Sequence, residues 1–203
     1  MSDQVSERPV PPSSIIADPA PLGLAGFAMT TFVLSISNTT IWPTAVAGAV
    51  ALALAYGGGA QLLAGMWEFK RGNTFGALAF SSYGAFWIAY WYLSVHIIPS
   101  IPSSEAGEIP VIVGTFLLAW AIFTFYMTIA AMRVSGAVLL VFVLLTVTYV
   151  LLTIGAYHSS SSLNHAGGWV GVATAAAAWY ASFAGVTNST FGKTVLPTMP
   201  LAR

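Results

Sequence analysis

Charge is almost missing from this chain. Asp, Glu, Lys and Arg make up 6% of its 203 residues, six acidic and six basic, and the formal net charge is zero. A soluble domain carries roughly 25% charged residues, so a soluble fold of this size could not clothe its surface. The balanced charge also offers no footprint for nucleic acid. Cysteine is absent, which excludes disulfides, thiolate metal sites and cysteine nucleophiles.

What is present is apolar and arranged in blocks. Hydrophobic residues reach 57%, and the stretches 22–38, 44–66, 75–98, 111–132, 136–157 and 168–187 contain no charged residue. Crossing a bilayer takes about 20 helical residues, so the expected fold is an all-α polytopic membrane protein with six transmembrane helices. The residues before Leu22 can prolong the short first stretch at the interface. Residues 1–17, with Asp3, Glu7, Arg8 and several prolines, read as a disordered tail rather than a signal peptide, since they have no apolar core region. The six-helix transport domain is expected over 18–197, followed by a short tail at 198–203.

An even span number puts both termini on one side. Arg8, Lys70, Arg71, Arg133, Lys193 and Arg203, all the basic residues, then share that side, while Glu105 and Glu108 lie opposite. The positive-inside rule makes both termini cytoplasmic and the location a cell membrane, inner or plasma. PSIPSSEAGEIP (99–110) and HSSSSLNHAG (158–167) read as the two substantial external loops. Trp42, Trp67 and Trp169 near span ends read as interfacial anchors.

The spans contain no Asp, Glu, Lys or Arg. That excludes a voltage sensor and a carboxylate relay at depth, and a retinal Schiff base on a buried lysine. Hydroxyl and amide groups supply the polarity that remains. Thr31, Ser35 and Asn38 share a face of the first helix. Gln61 follows the Gly57–Gly59 run on the second, Ser81, Ser82 and Tyr83 cluster on the third, and Thr146, Tyr149, Thr153 and Tyr157 stripe the fifth. Any one such hydroxyl can simply bond its own helix or a neighbour; across four helices the set reads as a shared polar path. Donors without a fixed cation suit a small solute of one weak charge. His96 and Glu68, at span edges, read first as structural groups and second as interfacial proton relays. His158 and His165 do not make a metal site, and no cofactor is expected.

Glycine marks close approaches. Gly57–Gly59 is costly in a helix interior, by roughly 1 kcal/mol per residue in water, and in lipid serves tight packing. Gly167-x-x-x-Gly171 and Ala173–Ala178 give the last helix a smooth face for contact with another helix, within the chain or between subunits.

Four landmarks remain. DPAPLGLAGF (18–27) is either a rigid lead-in capped by Asp18 or a set of helix amides facing an anion. EFKRGNTFG (68–76) offers Asn73 or Thr74 as a cap for the third span, and AFSSYGAFW (79–87) carries Tyr83. FGKTVLP (191–197) suggests a return against the bundle.

In this order and spacing these landmarks resemble the acetate uptake transporter family, over residues 18–197. The resemblance implies passage of acetate and related short carboxylates, possibly succinate, as an anion channel or a proton-linked transporter. It also implies homo-oligomers, trimers or hexamers, with one pore per subunit. The family's narrow gate maps onto Phe27, Tyr83 and Leu145, where the Tyr83 hydroxyl is expected to donate to the passing carboxylate. Asp18 stands where the family has asparagine, and Ser35 where a bacterial permease has asparagine. The residues themselves leave open a pore for another small neutral or weakly acidic solute, and a non-transporting membrane scaffold. A membrane enzyme lacks any HExxH, intramembrane carboxylate pair or Ser/His arrangement to support it.

Overall fold

The computed structural model describes residues 16–201, so most of the expected N-terminal tail and the last two residues lie outside it. Among the described residues there are six long helices: α1 (Ala20–Asn38), α2 (Pro43–Arg71), α3 (Thr74–Tyr92, continued through the π turn Leu93–Ile97 to Ser100), α4 (Ser103–Ala131), α5 (Gly136–Tyr157) and α6 (Ser161–Phe191). Five of them, all but α3, combine the length and apolarity needed to span a membrane. α3 has the length. Polar groups along it turn inward: Tyr83 is buried, and the half-buried Ser81 hides its hydroxyl. Helices answer the demand of the bilayer, because each closes its own backbone hydrogen bonds.

The connections are shorter than the loop residues suggest. Ser103–Glu108 forms 3₁₀ turns leading into α4. The serine-rich segment expected to loop over 158–167 is mostly helix, because Ser160 accepts a hydrogen bond from Leu163 N at 3.4 Å and starts α6 at Ser161. Polar composition pointed to a loop, while an N-cap serine made those residues the first turns of a helix.

α6 packs against α1 and α5, α4 against α5, and α2 against α1 and α3. The small residues allow this. A Cβ on Gly168 would stand 2.7 Å from Thr39 N, and one on Gly171 would stand 2.3 Å from Ser35 Oγ. The smooth face of α6 is therefore spent on α1 within the same chain. At the glycine triplet α2 widens into a π turn, Ala55–Ala60, a common way to bend a helix without proline. There a Cβ on Gly26 of α1 would meet Tyr56 O at 2.7 Å.

One end of the bundle gathers the start of α1, the end of α2, the 132–135 turn and the C-terminal segment. Asp18 and Arg71 form an ion pair there. Ser182 Oγ donates to Pro21 O at 2.7 Å, and Gly136 N donates to Met199 O at 2.7 Å. The described basic residues Lys70, Arg71, Arg133 and Lys193 sit at this end, and Glu105 and Glu108 at the other. The return suggested by FGKTVLP is made: Asn188 Oδ1 accepts from Val195 N (2.7 Å) and Leu196 N (2.9 Å), and Tyr180 Oη donates to Pro197 O at 2.7 Å.

Candidate functional site

The core between α1, α3, α4 and α5 is aromatic, and it surrounds three cavities in a row. The first, about 80 Å³, has Gln61, Glu68 and Asn73 on its wall and reaches Phe27, Tyr83 and Leu145. The second, about 50 Å³, shares Phe27 and Leu145 with the first and adds Thr31, Ser35, Asn38 and Tyr149. The third, about 430 Å³, shares Asn38 and Tyr90 with the second and ends at Ser159 and Asn164. A water needs a cavity of roughly 10–15 Å³, so even the smallest has room for water. The row runs from the basic end of the bundle to the opposite one.

The three expected gate residues come together. Phe27, Tyr83 and Leu145 are each buried, and all three face the first cavity. Their helices place them: Phe27 lies two turns into α1, Tyr83 lies mid-α3 and Leu145 mid-α5. Phe27 and Tyr83 approach ring to ring at 5.7 Å, and Tyr83 also meets the edge of Phe123 at 5.4 Å. Only Phe27 and Leu145 reach both the first and second cavities, so they form the partition between them.

The Tyr83 hydroxyl is already engaged. It shares a hydrogen bond of 2.9 Å with Thr124 Oγ1 on α4. Thr124 was not singled out in the sequence, and its only signal there was a threonine pair, Thr124 and Thr128, one turn apart in an apolar helix. Either hydroxyl can donate in this bond, so Tyr83 keeps its own O–H for another acceptor when Thr124 donates to it.

The polar set divides by position. Thr31, Ser35, Asn38 and Tyr149 line the second cavity, and Gln61 lines the first. Thr31 Oγ1 and Gln61 Oε1 are buried without a hydrogen-bond partner, as atoms that await a solute or water would be. Thr146 lies elsewhere: its hydroxyl contacts Phe142 O at 2.8 Å and Thr128 Oγ1 at 2.9 Å, tying α5 to α4. Tyr157 does the same with Thr115, at 3.0 Å. Ser82 lines none of the three cavities. Asp18 is exposed, accepts from Ala20 N at 3.0 Å and pairs with Arg71, and neither lines any of the three cavities. Asp18 thus acts as a lead-in cap. Asn73 caps α3 by accepting from Gly76 N at 3.2 Å.

Residues 4–203 match the profile of the GPR1/FUN34/yaaH family. The chain is 38% identical over 183 residues to the succinate-acetate/proton symporter SatP of Escherichia coli (strain K12), covering 90% of this chain and 95% of that protein. It is 41% identical over 197 residues to acetate permease A of Emericella nidulans, covering 89% of this chain and 65% of the permease. Among solved structures, that of the bacterial acetate channel SatP superposes with a TM-score of 0.81 at 35% identity, over 90% of this chain and 99% of that one.

Proposed function

The chain belongs to the GPR1/FUN34/yaaH family of multi-pass membrane proteins, and we propose that it carries acetate and related short carboxylates, succinate among them, across the cell membrane. The observation that carries this reading is the row of three cavities through one chain, divided by Phe27 and Leu145 beside Tyr83. Hydroxyl and amide groups line the second cavity without a fixed cation. Such groups stabilise a small carboxylate without trapping it, and the rings exclude bulk water from the narrowest point. The relatives named above are transporters or a channel, and the reading involves no chemical conversion: acetate leaves as acetate.

The basic end faces the cytoplasm, on the positive-inside rule and the placement of Lys70, Arg71, Arg133 and Lys193. Copies assemble as a trimer or hexamer with one path in each. The path is enclosed by a single chain, which leaves the exposed apolar faces of α2 (Leu63, Met66, Phe69) and α4 (Ile122, Phe125, Ile129) for lipid and neighbouring copies.

Uptake of labelled acetate into liposomes holding the purified protein tests the proposal. Flux above that of protein-free liposomes is expected, with competition by succinate and formate and none by urea. Flux equal to protein-free liposomes defeats the reading, and competition by urea points instead to a pore for small neutral solutes.

A further inference from the structure

Glu68 is fully buried although it lies near the polar end of α2, beyond the last charge-free stretch of that helix. Its Oε2 accepts a hydrogen bond from Asn73 Nδ2 at 3.0 Å, while Oε1 has no partner. Glu68 is the only acidic residue on the wall of the first cavity. Two helical turns earlier on the same face of α2, Gln61 offers that cavity a second buried acceptor without a partner, Oε1. Gly76 makes room for the carboxyl group, since a Cβ there would stand 2.8 Å from Glu68 Oε1.

A wall that presents unpaired acceptors asks for a donor. Leaving a buried acceptor unmatched is unfavourable, because it loses its bond to water and gains none in return. A carboxylate cargo brings only more lone pairs and a like charge. The same cargo carrying its acid proton brings an O–H, the group that Glu68 Oε1 lacks. From this match, and resting on the carboxylate-transport reading above, we infer that Glu68 is the proton-exchange group of the path. A neutral acid reaches the first cavity and gives its proton to Glu68. The acid O–H bond breaks with its electron pair left on the cargo oxygen, and a new O–H bond forms at Glu68 Oε1. The negative charge passes from Glu68 to the cargo, so the net charge of the cavity is unchanged. Release of the carboxylate and of the Glu68 proton to water at the Asp18 end resets the site, and the sequence reverses for movement the other way.

The groups around Glu68 leave this role to it. Arg71 and Asp18, the charged residues that act on Glu68, are paired with each other. The Tyr83 hydroxyl is bound to Thr124, and α5 and the turn before it present Val138 and Val134. Asn73 holds one carboxyl oxygen and leaves the other, on a residue that lines the cavity, without a partner.

The test uses full-length protein in liposomes loaded with a pH-sensitive dye, the voltage clamped by potassium and valinomycin, and labelled acetate as the probe. Protein-free liposomes supply the correction for acetic acid leak. In the parent protein each protein-mediated acetate is expected to enter with a proton. Glu68→Gln keeps an acceptor for Asn73 but cannot take a proton, so its protein-mediated acetate uptake falls several-fold while the acid's own proton keeps the proton-to-acetate ratio near that of the parent; Glu68→Asp restores the rate. An unchanged uptake rate in folded Glu68→Gln overturns the inference and leaves acetate transport standing. Absence of acetate flux in the parent protein instead removes the transport reading and this one with it. Should Glu68→Gln fail to give a monodisperse protein, the parent is treated with dicyclohexylcarbodiimide, which attacks protonated carboxyls in apolar surroundings. Modification mapped to Glu68 that declines in alkaline buffer and is slowed by acetate supports the inference. No modification there, or modification indifferent to pH and acetate, overturns it.

Discussion

Phe27 and Tyr83 face each other between α1 and α3 with ring centroids 5.7 Å apart and planes inclined by 52°, and Leu145 on α5 completes the wall that the two rings share. Neither Phe27 nor Leu145 offers a polar side-chain atom, so the partition between the first and second cavities, with Tyr83 beside it, has one hydroxyl and otherwise only carbon. Phe27→Ala and Leu145→Ala are expected to merge the first and second cavities and weaken size discrimination. Uptake of labelled propionate or butyrate relative to acetate should rise several-fold in liposomes. Truncations of this kind cost roughly 2–5 kcal/mol of stability, so the comparison belongs on variants shown to be folded. Unchanged relative fluxes in folded variants would mean that the restriction lies elsewhere.

The bond between Tyr83 and Thr124 separates packing from transfer. Interhelical hydrogen bonds in membranes average about 0.6 kcal/mol, so Tyr83→Phe and Thr124→Val should each lower thermal stability only slightly. If the pair steadies a carboxylate at the gate, acetate uptake falls about tenfold in Tyr83→Phe, far more than that stability loss explains. Thr124→Val leaves the Tyr83 hydroxyl free and should give a smaller loss. Equal uptake by all three proteins would reduce the pair to a structural tie between α3 and α4.

Much of this architecture is legible in the residues, for a physical reason. A charge-free block of twenty or so residues has few alternatives to a spanning helix, and six blocks map onto α1–α6 with shifted ends. The ends shifted where local chemistry overrode composition, as when Ser160 capped α6 and made helix of the serines that follow. Contacts between helices were harder to read. Thr146 and Tyr149 share a stripe on α5, yet Thr146 turns to Thr128 while Tyr149 reaches the second cavity; two positions three residues apart differ by about 60° around a helix, enough to pass from a helix interface to a cavity. Glu68 looked interfacial because it adjoins Lys70 and Arg71. Its burial depends on Asn73 and Gly76 folding over it at the start of α3, and a pattern along one helix does not contain that.

The contact of α6 with α1 predicts a graded glycine series. At Gly168 an added methyl meets backbone, Thr39 N at 2.7 Å and the Asn38 carbonyl carbon at 2.8 Å, and neither can move aside. At Gly171 it meets the Ser35 side chain, which can turn away. At Gly59 its nearest neighbour is Leu54 O at 3.6 Å, an ordinary contact. Overpacking costs typically 1–3 kcal/mol, so Gly168→Ala should lower the melting temperature most, Gly171→Ala less and Gly59→Ala least. Equal melting of the three would show that α1 and α6 are not held this closely.

Asn188 predicts how the chain's end is fastened. Its Oδ1 accepts from Val195 N and Leu196 N at 2.7 and 2.9 Å, and its Nδ2 donates to Leu196 O at 2.9 Å. The turn held this way delivers Thr198 and Met199 to the start of α5, where their carbonyls accept from Ala137 N (3.2 Å) and Gly136 N (2.7 Å). These amides open α5 and have no partner within the helix, so the C-terminal segment serves as their cap. At about 1 kcal/mol per hydrogen bond, Asn188→Ala removes enough to free the segment while the bundle stays folded. Asn188→Asp keeps the oxygen that receives two of the three bonds and should lie between it and the parent. The readout is tryptic cleavage after Lys193 in detergent, followed by mass spectrometry: fastest in Asn188→Ala, slower in Asn188→Asp, slowest in the parent. Cleavage at one rate in all three would mean that the contacts with Tyr180, Val134, Gly136 and Ala137 hold the segment, and that Asn188 does not fasten it.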